Sequence, residues 1–111
     1  MLDEAVLQEM VANVNHRGLD QWTALHFAAN EGHFNVVKEL LRHQELEKSP
    51  VSTINRSPIH LAGIRGHVDI LRALSEAGAP VDIRDVDENT PLHYASEYGH
   101  ADCIIFLAKE A

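Results

Sequence analysis

The chain has 111 residues, 45% of them hydrophobic and 23% charged, which is one domain's worth of an ordinary globular protein and excludes wholesale disorder. Nine Lys and Arg stand against 17 Asp and Glu, for a net charge of −8, so phosphate backbones and anionic lipid are repelled and neither nucleic acid nor a membrane is the expected partner. The longest apolar run, Cys103 to Ala108, is six residues against the ~20 of a spanning helix. The acidic start Met1-Leu2-Asp3-Glu4 does not read as a signal peptide, and the lone Cys103 fits a reducing, intracellular and cytoplasmic setting.

In chain order, residues 2–12 carry Val6, Leu7, Met10 and Val11 at helical spacing and predict a helix. Next comes Thr23-Ala-Leu-His-Phe-Ala-Ala-Asn-Glu-Gly-His33. It recurs as Ser57-Pro-Ile-His-Leu-Ala-Gly-Ile-Arg-Gly-His67 and again as Thr90-Pro-Leu-His-Tyr-Ala-Ser-Glu-Tyr-Gly-His100, at offsets of 34 and 33. Thr23, Ser57 and Thr90 are helix-capping residue types, and Pro58 and Pro91 follow where a missing amide hydrogen costs nothing. Leu25, Ala28 and Ala29 give the first helix a small apolar stripe that permits close packing. Gly32, Gly66 and Gly99 end these helices. A second apolar-periodic stretch follows each: Val36, Val37, Leu40 and Leu41, then Ile70, Leu71 and Leu74, then Ile104 and Leu107. Polar stretches such as Asp82 to Asn89 suit a β-turn or hairpin between units. A period of about 33 with two helices per unit predicts stacked helical hairpins that bury their faces only against one another.

These motifs resemble the ankyrin repeat family. Thr90-Pro-Leu-His93 and Gly99-His100 match its pattern outright, and Gly78-Ala-Pro-Val-Asp82 nearly matches its Gly-Ala-Asp-Val-Asn turn. The resemblance implies an all-α ankyrin repeat solenoid of stacked helix-turn-helix units with β-turn or hairpin connections. It divides the single domain 1–111 into a partial repeat helix (2–14), repeat 1 (15–48), repeat 2 (49–81) and a truncated repeat 3 (82–111), as part of a longer chain. Ala24 departs from the motif proline, and Gln44 and Ala111 from the glycine that closes a unit. The linker from Gln44 to Arg56 is one residue longer than its counterpart, which predicts a distorted second hairpin.

No catalytic, cofactor-binding or metal-ligating constellation is expected. His26, His60, His93, His33, His67 and His100 occupy two repeat positions seven residues apart, ~10.5 Å along a continuous helix, too far to share a zinc ion with bonds of ~2 Å. The resemblance implies that they bond neighbouring backbone. Cys103 sits at an apolar packing position and reads as a small buried hydrophobe. Ser57 and His60 are explained as helix-start residues. Asp82, Asp85, Asp87 and Glu88 read as a solvated acidic fingertip, without the glycine that a calcium loop needs.

Function then rests on surface: the resemblance implies an intracellular protein–protein interaction module that grips another protein on a rigid concave face of tips and first helices. The residues mapped there are Arg17, Leu19, Trp22, Asn30, Glu31, Arg56, Ile64, Arg65, Arg84, Val86, Glu88 and Tyr98. Trp, Tyr and Arg are enriched at interface hot spots. Two readings stay open for Trp22, a partner contact or packing on its own hairpin, and for Tyr98, a partner contact or packing on the neighbouring repeat. Ile105 and Phe106 replace Lys38 and Glu39 of repeat 1, which suggests contact with a further repeat, a partner or a second copy, or simply a more apolar last helix. The alternative function is a structural spacer or self-association segment in a larger protein.

Overall fold

The structure, a computed structural model, describes residues 13–110; the helix expected over 2–12, and Ala111, lie outside them. Among the described residues six α-helices follow one another in three pairs: α1 (Ala24–Glu31) and α2 (Phe34–Leu41), α3 (Pro58–Arg65) and α4 (Val68–Glu76), α5 (Pro91–Glu97) and α6 (Ala101–Glu110). Short 3-10 turns, Asn13–Asn15 and Leu19–Gln21, precede them, and there is no strand among the described residues. The connections are therefore turns rather than hairpins of paired strands.

Each first helix begins at the predicted cap. Thr23 and Thr90 accept the amides of His26 and His93 on their hydroxyls, and the histidine Nδ1 atoms accept the cap residues' own amides at 3.1 and 2.9 Å. Histidine thus takes the returning role that Glu fills in the usual capping box. The first two of these helices end on Gly32 (φ 77°) and Gly66 (φ 81°), in the left-handed region that an L side chain avoids.

The first helices stack on one another, α1 on α3 on α5, and the second helices likewise, α2 on α4 on α6. Leu25, Ala29, Ile59, Ala62, Ile70, Leu71 and Leu74 are completely or almost completely buried between these layers. The predicted stripes are correct apart from Val36, which is 47% exposed while its neighbour Val37 is fully buried. Its equivalents Ile70 and Cys103 are buried where α4 packs on α2 and α6 on α4. Among the described residues no second helix precedes α2.

The three tips share one pattern of closing bonds, although the first has a second positive-φ residue, Asp20 (φ 58°), that the others lack. Gly18 N–H donates to Trp22 O at 2.8 Å, Ser52 to Arg56 at 2.9 Å and Asp85 to Asn89 at 3.0 Å. Each turn is closed by a residue with positive φ: Gln21, Asn55 or Glu88. The distortion expected in the second tip does not occur. The extra residue is taken up in the irregular segment after Leu41, and the tip itself is regular. Successive tips are joined by backbone bonds, Thr53 N–H to Asp20 O (3.1 Å) and Val86 N–H to Ile54 O (3.0 Å).

Candidate functional site

The repeat histidines do structural work. Because Nδ1 of His26 and His60 accepts a backbone amide, the remaining ring proton must sit on Nε2. From there His26 donates to Arg56 O and His60 to Asn89 O, each at 2.9 Å. Each bond runs from one repeat to the tip of the next. Burial lowers the pKa of both rings, more than the accepting carbonyls raise it, which keeps them neutral and the tautomer fixed. His100 bridges backwards in the same manner, Nε2 to Ile64 O at 2.8 Å, and its ring lies where a side chain on Gly66 would be.

The residues mapped to partner binding divide into two groups. Several are occupied within the fold. Arg17 donates to Val51 O (3.0 Å) and pairs with Glu47 (2.9 Å), bracing the first tip against the second. Arg56 donates to the Tyr94 hydroxyl at 2.8 Å and lies over its ring at 5.0 Å. Arg84 closes its own tip on Glu88 O, and Arg65 Nε holds Asn30 Oδ1 at 3.0 Å while Asn30 also bonds Glu31. Trp22 is half-buried, stacked on His26 and edge-on to Phe27, which is packing on its own repeat. The second group faces outward: Leu19 at 85% exposure, Val86 at 53% and Tyr98 at 55%, the last near-parallel to the His100 ring, with Ile64 half-buried. Ile54 (42%) and Phe27 (52%) join them. Phe27 was missed because it occupies the position of Leu61 and Tyr94, which are buried.

The acidic fingertip needs the main correction. Asp82, Asp87 and Glu88 are exposed, but Asp85 is only 3% exposed. Its carboxylate accepts the Tyr94 hydroxyl and the amides of Asp87 (3.0 Å) and Asn89 (3.1 Å), with Arg56 Nη2 at 3.6 Å. Burial pushes its pKa up, yet the Tyr94 hydroxyl, the Asn89 and Asp87 amides and His60 outweigh this and hold it below the ordinary value. Asp85 is an anchor between repeats 2 and 3 and is lost as a charge for a partner.

Cys103 is fully buried, and burial beside Asp102 and Asp69 raises its pKa, which disfavours the reactive thiolate. Ile105 is exposed on the outer side of α6, whereas Phe106 packs against the core with the Arg72 guanidinium 5.5 Å from its ring. A shallow groove of about 450 Å³ crosses the end of repeat 3, lined by Val81, Leu92, His93, Ser96 and Leu107 among others.

The relatives agree with this architecture. The chain is 33% identical over 93 residues to a putative E3 ubiquitin-protein ligase, XBAT31, of Arabidopsis thaliana (83% of this chain, 20% of the relative). It is 35% identical over 86 residues to the probable E3 ubiquitin-protein ligase XBOS31 of Oryza sativa (77% and 19%). With the target of rapamycin complex 2 subunit AVO2 of Saccharomyces cerevisiae it shares 31% over 88 residues (79% and 21%). The chain thus spans about a fifth of the length of these relatives. A family model described as ankyrin repeats (3 copies) matches residues 2–85 and 45–111. Together with the stacked helix pairs and their histidine caps, this shows that the chain belongs to the ankyrin repeat family, whose repeats are protein–protein interaction modules.

Proposed function

We propose that the chain binds a folded protein along the row of tips, with the exposed ends of the first helices completing the face. One observation carries this reading: every tip holds an exposed aliphatic side chain at its apex, Leu19, Ile54 or Val86. Three such side chains on a backbone held by its own bonds lose little freedom on association, so the apolar contact is not offset by ordering. Tyr98 and Ile64 extend the face, and the charged Glu31, Arg84 and Glu88 rim it. Arg17, Arg56 and Trp22 position the face from behind. The role is recognition, not catalysis, and the free Cys103 fits a reducing cell interior.

The test places a photo-crosslinking amino acid at position 54, 86 or 98, and at outward second-helix positions 38 and 72 for comparison. A partner captured from the tip and first-helix positions alone supports the reading, and equal capture from 38 and 72 refutes it. With that partner identified, the triple variant Leu19→Ser, Ile54→Ser, Val86→Ser should bind at least about ten-fold more weakly while unfolding at the same denaturant midpoint.

A further inference from the structure

We propose that the outward face of repeat 3 is a docking surface for a fourth helix-turn-helix repeat of a longer polypeptide, which presents a tip carbonyl to His93 Nε2 and a histidine ring to Gly99. This inference is independent of the tip-row reading. It rests on the way each repeat–repeat junction in the structure is built and on how the last face departs from it.

At the two internal junctions the same positions are closed in the same way. Leu25 and Ile59 are at most 1% exposed, and His26 and His60 are fully buried with Nε2 bonded to the following tip. Gly32 and Gly66 each face the imidazole of the following repeat, His67 or His100, so closely that a Cβ would meet it at 2.7 or 2.5 Å. Val37 and Leu71 are fully buried on the second helices.

In repeat 3 each counterpart is present and uncovered. Leu92 and Ile104 are only half-buried, and His93 is exposed. The His93 ring makes its capping bond through Nδ1, as the other two do, but among the described residues Nε2 has no partner. Gly99 keeps the left-handed φ of 72°, with nothing within 4 Å of where its Cβ would stand. The groove of about 450 Å³ opens beside two of these positions, Leu92 and His93, with Ser96 and Leu107 in its wall. A chain end that faces water calls for polar substitutions at its apolar interface positions, yet Leu92, Ile104 and the Gly-His pair are the residues of an internal junction. Continuity with those junctions specifies the occupant, because only a unit of the same pitch delivers a carbonyl and an imidazole to both sites at once. A second copy offers at its own first tip the bulky, folded-back Trp22 where the other tips carry Arg56 and Asn89, which favours a true fourth repeat. The relatives are about four times as long as this chain, so further repeats have room.

The test compares amide hydrogen exchange in the natural polypeptide, purified from its source, with that in the 111-residue chain. Exchange across Pro91–Glu97 and Ala101–Glu110 should be at least about ten-fold slower in the natural polypeptide. Equal rates overturn the proposal, as does protection that arises from concentration-dependent dimers of the 111-residue chain. A second arm appends a copy of residues 79–111 directly after Ala111, which preserves the 33-residue period. The extended chain should unfold at a higher denaturant midpoint. His93→Ala should raise its unfolding equilibrium constant about ten-fold more than in the 111-residue chain, the effect of one additional buried hydrogen bond. An unchanged midpoint, or the same loss at both lengths, overturns it.

Discussion

Replacing Asp85 with Ala removes a carboxylate that two backbone amides, a phenol and a guanidinium all address. The consequence is worked from what each group has left. The Asp87 amide belongs to an exposed residue and turns to water at little cost. The Tyr94 hydroxyl, on a side chain 5% exposed, loses its acceptor, and Arg56, whose side chain is 25% exposed, becomes a partly buried charge without a counter-ion. Breaking one partner out of a buried pair costs ~3–5 kcal/mol, and the partial exposure of Arg56 places this site at the low end, about 3 kcal/mol. Asp85→Asn keeps an acceptor for the amides but turns an NH₂ group toward the phenol, which costs about 1.5–2 kcal/mol. Tyr94→Phe costs about 1.5 kcal/mol, one hydrogen bond to a charge, and the Asp85→Ala, Tyr94→Phe pair should show a coupling of about 1 kcal/mol. Urea unfolding followed by circular dichroism at pH 7 measures all of these, with the exposed Asp87→Ala as a control within about 0.5 kcal/mol. Because the folded pKa of Asp85 is held below 3.8, this stability is present above that value and is lost as the pH falls through the folded pKa. A loss below about 1 kcal/mol for Asp85→Ala would refute the cluster as an anchor.

Three further outcomes are expected. His26 and His60 have folded pKa values lowered from 6.5 by burial, so the stability they supply is complete above pH 6.5 and declines as the pH falls below it; unfolding titrations between pH 7 and 5 should show this slope, reduced in His60→Gln. Gly66→Ala should cost about 3 kcal/mol, because strain at φ 81° is joined by a clash with the tethered His100 ring, whereas Gly99→Ala carries the backbone strain alone at about 1 kcal/mol; equal losses in thermal unfolding would contradict the packing described. Cys103 should react with a thiol reagent only at the rate of unfolding, and prompt reaction in buffer would show that α6 opens locally.

What could be read from the residues in order was the part set by short-range chemistry. A capping hydroxyl closes on an amide within four residues, and a glycine needed at a helix end is needed by its own backbone, so the first helix of each unit was legible with its ends, and the second from its apolar spacing. The tip row was partly legible. Leu19 and Val86 were placed in it, as were Arg17 and Arg56, which the structure engages within the fold, and of the two readings open for Trp22 the structure shows packing on His26 and Phe27. The reason is range: Arg17 finds Val51 34 positions on and Arg56 finds Tyr94 38 positions on. Asp85 was read as one more acidic tip residue because nothing local distinguishes it from Asp87; only Tyr94 and Arg56, brought in by stacking, do so. The one-residue insertion after Leu41 misled in the opposite direction, since a turn defined by its own hydrogen bonds does not register slack upstream of it.

The backbone bonds that tie Asp20 to Thr53 and Ile54 to Val86 have a consequence for how such a surface changes over generations. They fix the pitch of the tips with atoms that every residue possesses, while the apex side chains bear none of the load. Positions 19, 54 and 86 are therefore open to almost any replacement without disturbing the stack. A lineage can try new chemical lettering on an unchanged ruler, one rung at a time, and selection for what is gripped proceeds separately from selection for staying folded.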